Sequence, residues 1–303
     1  MNIATAKRLF GINAFIAWLG YGLSQLINIL DLVPAKPPTE PVLLNLFTQP
    51  EAGLAGAIGR VFNSHGYFTT WSNLLVAITL TVLYQHPTVR SATREWLRNS
   101  ALLMITMTFV LYNLLLAPYA KVESFHIITN LLTHYITPLV TIAVWVAAGP
   151  RGRFDLSHTF TVFIVPIGYL AYTLIHGAIA SVYPYGFFDV ITYGYASVLT
   201  LMGGVIVGGY VVALIYFGAE RLLGQGKSFQ DGEGRKNTVG KYSRTARTLG
   251  LVGIAIPILA IVGVVFAAYA MSNDEEGAGF SFVLTLVVAF VNSLALSIAL
   301  GIL

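Results

Sequence analysis

Long apolar runs alternate with short polar breaks along this chain, and the length of the runs decides its class. A membrane-spanning helix needs about 20 predominantly apolar residues. Eight runs qualify, at roughly 10–30, 67–85, 100–118, 126–148, 159–182, 190–217, 248–271 and 280–302. The pattern predicts an all-α fold, a polytopic membrane helix bundle of about eight transmembrane helices. A six-helix core would occupy 1–220, a basic cytoplasmic linker 221–247 and an accessory transmembrane hairpin 248–303.

The breaks orient the bundle. With a cytoplasmic amino terminus, fourteen of the 17 Lys and Arg residues fall on the inner side, among them Arg90, Arg94, Arg98, Arg151 and Arg153. Only Lys36, Arg60 and Lys121 fall outside. Basic residues collect on the cytoplasmic side, so both termini are expected there. The longest outer break, 31–66, opens with four prolines between Pro34 and Pro41 that exclude regular helix. The apolar, Gly-interrupted stretch 42–62 reads as a short amphipathic helix on the membrane surface, as a cover over a site, or as a plain connection. In the sixth run Gly204 and Gly208 have the spacing that lets two helices approach closely. The segment from Arg221 to Arg247 is polar and Gly-rich, its basic flank suited to anionic headgroups. Ser272-Asn273-Asp274-Glu275-Glu276 then makes an acidic turn inside the final hairpin.

Composition agrees with the pattern. Charged residues make up 10% and apolar ones 56%, with mean hydropathy +0.75, whereas soluble domains carry roughly a quarter charged residues. No cysteine is present, which excludes disulfides, thiolate nucleophiles and Cys-ligated metal. The net charge of +4 lies in short loops, so no nucleic acid partner is expected. Lys7 and Arg8 precede a run too long for a cleavable signal, and no small-x-small site follows it.

Ionisable groups at membrane depth are functional candidates by default. His134 lies eight residues beyond His126, about 12 Å along a helix. His126, Asn130 and His134 recur every four residues and share a face. Pro138 lacks the N–H that would bond the His134 carbonyl, which favours a cavity beside that imidazole. His176 reaches the same outer half from the fifth run. On the second run, His65-Gly66-Tyr67-Phe68-Thr69-Thr70-Trp71-Ser72-Asn73 is the most polar entry to any apolar run. A threonine hydroxyl is a nucleophile only when a neighbouring base takes its proton. His134 is the deep imidazole able to serve Thr70, although the two residues sit roughly 7 Å apart in depth if their helices start level.

At these residues the chain resembles the androgen-induced membrane proteins, a family that includes the androgen-dependent TFPI-regulating protein. It looks closer still to their bacterial relatives. The resemblance covers about residues 10–220. It rests on Phe68-Thr69-Thr70 with Asn73, on Asn130 through His134 with Pro138-Leu139, and on His176 with Val182-Tyr183-Pro184 and Asp189. It implies intramembrane threonine hydrolases that cleave fatty acid esters of hydroxy fatty acids, in a bacterial cytoplasmic membrane. The implied catalytic residues are Thr70, by its spacing to Asn73, and His134. Thr69, Asn73, Asn130, His176, Asn113 and Tyr183 are the supporting set, and Asn73 stands where vertebrate members carry an acid.

The expected chemistry is ester hydrolysis through an acyl-threonine. His134 acts as base and then acid, and Asn73 donates to the oxyanion. No cofactor is expected, and the partners are a lipid substrate with acyl chains and the surrounding membrane lipid. Two other readings stay open. His126, His134 and His176 could bind Zn²⁺ around an activated water, or the chain could carry or bind lipid without chemistry.

Overall fold

The computed structural model describes residues 3–33, 52–89, 91–120, 122, 124–152 and 154–224. The linker over 225–247 and the hairpin expected over 248–303 lie outside the described residues, as does 34–51 of the outer break. Among the described residues every regular element is helical. Five helices are long and apolar enough to cross a membrane, or six if the bent pair Gly53–Ser64 and Phe68–Gln85 is counted as one span. The chain groups into two compact units, 1–150 with 160–203, and 151–159 with the chain from 204 onward.

The first unit contains every candidate site residue. It begins with α1 (Ile3–Leu30), then α2 (Ala57–Ser64), which turns by 83° into α3 (Phe68–Gln85). Helix α4 (Ala92–Leu111) is capped by the Ser91 hydroxyl, which accepts the Arg94 N–H at 3.2 Å, and Glu95 favours its positive end. Its last turn widens to π geometry over Tyr112–Leu116. Helix α5 (His126–Leu131) passes through a second π segment, Leu132–Ile136, into α6 (Thr137–Ala148). After α7 (His158–Thr161) and α8 (Ile164–Ala180), the chain turns at Ser181 in left-handed conformation. Helix α9 (Val190–Gly224), kinked at Gly194 where φ is +74°, starts from Asp189, whose carboxylate accepts the Ile191 N–H at 2.9 Å and the Thr192 hydroxyl at 2.6 Å.

The two π segments have one local cause. Each spans five residues, is followed by a single residue and then by a proline, Pro118 or Pro138. A proline has no N–H for the carbonyl four residues back, and its ring crowds that turn. The turn opens instead, and Ala117 N–H bonds the Tyr112 carbonyl five residues earlier at 2.7 Å. Such wide turns recur at functional sites.

Small residues and polar pins hold the helices in register. Asn13 on α1, fully buried, exchanges bonds with Thr141 on α6 at 3.2 and 3.3 Å. Ser72 on α3 meets Thr108 on α4 at 2.7 Å, and Trp18 donates to Thr81 at 2.9 Å. Gly20 lets α1 approach the second π segment so closely that an added Cβ would lie 3.2 Å from Leu132. Around the start of α3, Tyr169, Tyr183, Tyr185 and Phe188 form an aromatic core packed by Tyr67, Phe68 and Trp71. Within the second unit, Arg151 pairs with the buried Glu220 at 3.9 Å.

The tightest contact in the aromatic core yields a stability prediction. A Cβ on Gly177 would fall 1.9 Å from the Tyr183 ring, and Tyr183 is 2% exposed. Gly177→Ala should lower stability by about 1–3 kcal/mol, read as an earlier thermal transition in detergent.

Candidate active site

The site forms where three segments meet: the first turn of α3 and the two π segments. Tyr67, in extended conformation, ends the link from α2, so Phe68, Thr69 and Thr70 make the first turn of α3. Three side chains fix the corner by bonding its backbone carbonyls. Thr70 Oγ1 donates to Ser64 O at 2.6 Å, Trp71 Nε1 to His65 O at 2.6 Å, and Tyr169 Oη to Gly66 O at 3.0 Å. The carbonyls at a helix end need such partners.

Thr69, not Thr70, meets the imidazole. Thr69 Oγ1 lies 3.1 Å from His134 Nε2, whereas the Thr70 hydroxyl is turned back to Ser64. The threonine in contact with the imidazole is therefore one residue before the one inferred from spacing. Asn73 is three residues from Thr70 and four from Thr69, and both spacings share a helix face, so distance along the chain did not separate them. The rotation of α3 separates them, fixed by the Ser72 to Thr108 bond and by Asn73. The direct contact also removes the depth mismatch: α5 and α3 start at different levels.

Asn73 positions the site. It is 1% exposed, and its Nδ2 donates to Thr69 O at 2.9 Å and to Thr133 O at 3.1 Å. An amide nitrogen has two hydrogens, and both are engaged, so Asn73 has none for the oxyanion assigned to it from sequence. Its Oδ1 is buried without a hydrogen-bond partner.

The imidazole sits in a neutral, stacked environment. Tyr112 lies over the His134 ring with centroids 3.9 Å apart and planes 24° from parallel, one ring from each π segment. His134 Nδ1 is 3.2 Å from Thr133 Oγ1, and that hydroxyl donates to Thr129 O at 2.7 Å. A hydroxyl has one hydrogen, so Thr133 receives from Nδ1–H. That contact assigns the proton to Nδ1 and leaves the Nε2 lone pair facing Thr69. Asn130 is a polar neighbour of the Tyr112 phenol.

Tyr185 completes the site, and nothing in the pattern of the sequence marked it beyond an interfacial aromatic. It is 7% exposed. Its Oη accepts the Phe68 N–H at 3.1 Å, and Thr69 and Tyr169 are its polar neighbours. Tyr112 and Thr133 were likewise not singled out, although the matched placement of Pro118 and Pro138 was a readable sign.

The remaining candidates have local partners. His176 Nδ1 lies 3.3 Å from Val182 O at the turn after α8, and Tyr183 packs on Gly177. Asn113 Nδ2 bonds back to Phe109 O at 2.8 Å, and His126 is exposed at the start of α5. Among the described residues no three side chains of metal-ligating type converge, so His126 and His176 do not join His134 in a zinc site. Comparison with protein-family models, with curated proteins and with solved structures returns no match.

The hydrogen-bond chain predicts a tautomer. Nitrogen NMR of histidine-labelled protein should find His134 neutral with the proton on Nδ1. Thr133→Val should shift that ring toward a mixture of tautomers.

Proposed function

We propose that the chain is an intramembrane hydrolase of lipid esters, with Thr69 as nucleophile and His134 as base. In this it resembles the androgen-induced family and its hydrolysis of fatty acid esters of hydroxy fatty acids. The observation that carries the reading is the 3.1 Å contact of Thr69 Oγ1 with an imidazole nitrogen that has no proton of its own. The same proposal takes the full protein as eight spans with both termini cytoplasmic, in a bacterial inner membrane.

As Thr69 Oγ1 attacks the ester carbonyl, its proton passes to His134 Nε2 and the carbonyl electron pair moves onto oxygen. The alcohol leaves with the proton returned from Nε2–H, giving an acyl-threonine. Water then repeats the sequence, losing a proton to Nε2, and fatty acid is released. With the Asn73 hydrogens engaged, the Tyr185 hydroxyl is the donor beside the reacting oxygen. The Phe68 N–H bonded to its oxygen strengthens it as a donor.

The test is turnover of a long-chain lipid ester by the purified protein. Thr69→Ala and His134→Ala should each reduce turnover by roughly a hundredfold or more. Tyr185→Phe keeps the ring and should lose about a hundredfold. Thr70→Val should retain most of the rate while losing about 1–3 kcal/mol of stability, because Ser64 O loses its donor. Full turnover without the Thr69 hydroxyl would remove the assignment. Lipid binding with no hydrolysis by wild-type protein would replace it with a carrier.

A further inference from the structure

Helix α2 has one face bound to the protein and one face bound to nothing. On the bound face, Arg60 Nε donates to Asn28 O at 2.6 Å, and its guanidinium bonds Gly53 O and pairs with Asp31 at 3.6 Å. Ser64 Oγ reaches Gln25 at 3.0 Å, and Tyr21 Oη lies 3.0 Å from His65 Nε2. These contacts tie α2 to the end of α1. On the other face Ile58 and Phe62 are 86% and 60% exposed, and Leu54, in the 3-10 turn just before α2, is 71% exposed. Ile58 and Phe62 are four residues apart and share a face, and with Leu54 they make an apolar stripe.

We infer that this stripe is inserted into the membrane leaflet at the α2 end of the bundle, with α2 lying in the membrane plane. Eight residues make a helix about 12 Å long, too short to cross. The 83° bend into α3 sets it flat once α3 spans. The end of α1, to which α2 is tied, likewise exposes the apolar side chains Leu26, Ile29 and Leu30. The occupant is lipid acyl chain, because that face has an apolar ridge and its cation, Arg60, is drawn to the opposite side.

This placement deepens the hydrolase reading and rests on it for its functional part. Thr69 is the second residue of α3, so it lies only a few Å below the plane of α2. That is the level of the leaflet interface, where the ester groups of amphipathic lipids sit, and not the bilayer centre. The substrate class is an ester with at least one acyl chain dissolved in that leaflet, delivered from lipid and not from water.

The natural chain has no cysteine, so single cysteines at Leu54, Ile58 and Phe62 give unique nitroxide labels. In phosphatidylcholine vesicles the expected result at all three is higher collision with oxygen, which partitions into lipid, than with a water-soluble nickel chelate. Higher collision with the chelate would overturn the placement. Low collision with both reagents, the sign of a protein cover, would do the same. Ile58→Glu with Phe62→Glu should then reduce hydrolysis of a long-chain ester by roughly tenfold or more and spare a short water-soluble ester. Equal rates on both esters would overturn lateral delivery. If wild-type protein hydrolyses neither ester, the hydrolase reading and the delivery built on it both fail, while the labels still decide where α2 lies.

Discussion

A hydrogen bond between two uncharged side chains, the Thr69 hydroxyl and the His134 imidazole, is the contact on which the rest of the site depends. It joins residues 65 positions apart in sequence at 3.1 Å. Little in either residue alone makes it form. Thr69 is brought to it by the corner between α2 and α3, and His134 by a wide turn ahead of Pro138. Each of those features has further supports: carbonyls bonded by Thr70, Trp71 and Tyr169 on one side, and Asn73 and Gly20 on the other.

The two π segments act as a pair. A wide turn pushes one side chain outward from its helix, and here the displaced rings are Tyr112 and His134, stacked at 3.9 Å. A stacked phenol restrains rotation of the imidazole about its bond to the helix. Orientation of the imidazole is thus a packing property, achieved with stacked aromatic rings.

The bundle was legible because apolar length is a strong signal. Helices lie over all six runs between residues 10 and 217, although the first begins at Ile3, the third at Ala92, the fifth is broken after Thr161 and the sixth continues to Gly224. The partnership of the second and fourth runs was also legible, since polar residues at membrane depth are few. What periodicity could not supply was rotation about the helix axis. Thr69 and Thr70 differ by about 100° around α3, and the choice between them is made by Ser72 on Thr108, a contact between side chains 36 residues apart. Tyr185 was illegible for a similar reason: its phenol reaches the Phe68 N–H because of the fold of the turn at 181–189, which no spacing encodes. The oxyanion role given to Asn73 failed on hydrogen count, because both amide hydrogens are taken by carbonyls.

Hydrolases of soluble folds commonly orient their histidine with a carboxylate. Among the described residues none bonds His134, and the packing around the ring supplies a reason. A carboxylate packed there would have to be stripped of water, at an effective cost of several kcal/mol that a neutral imidazole could not offset. The chain from Nδ1–H to the Thr133 hydroxyl to the Thr129 carbonyl fixes the same tautomer without burying a charge. It stabilises the imidazolium less than an anion would, because only dipoles face the transient positive charge. If the site is the hydrolase proposed, a slower enzyme is the expected consequence, one whose rate depends on how well the site is ordered before substrate arrives.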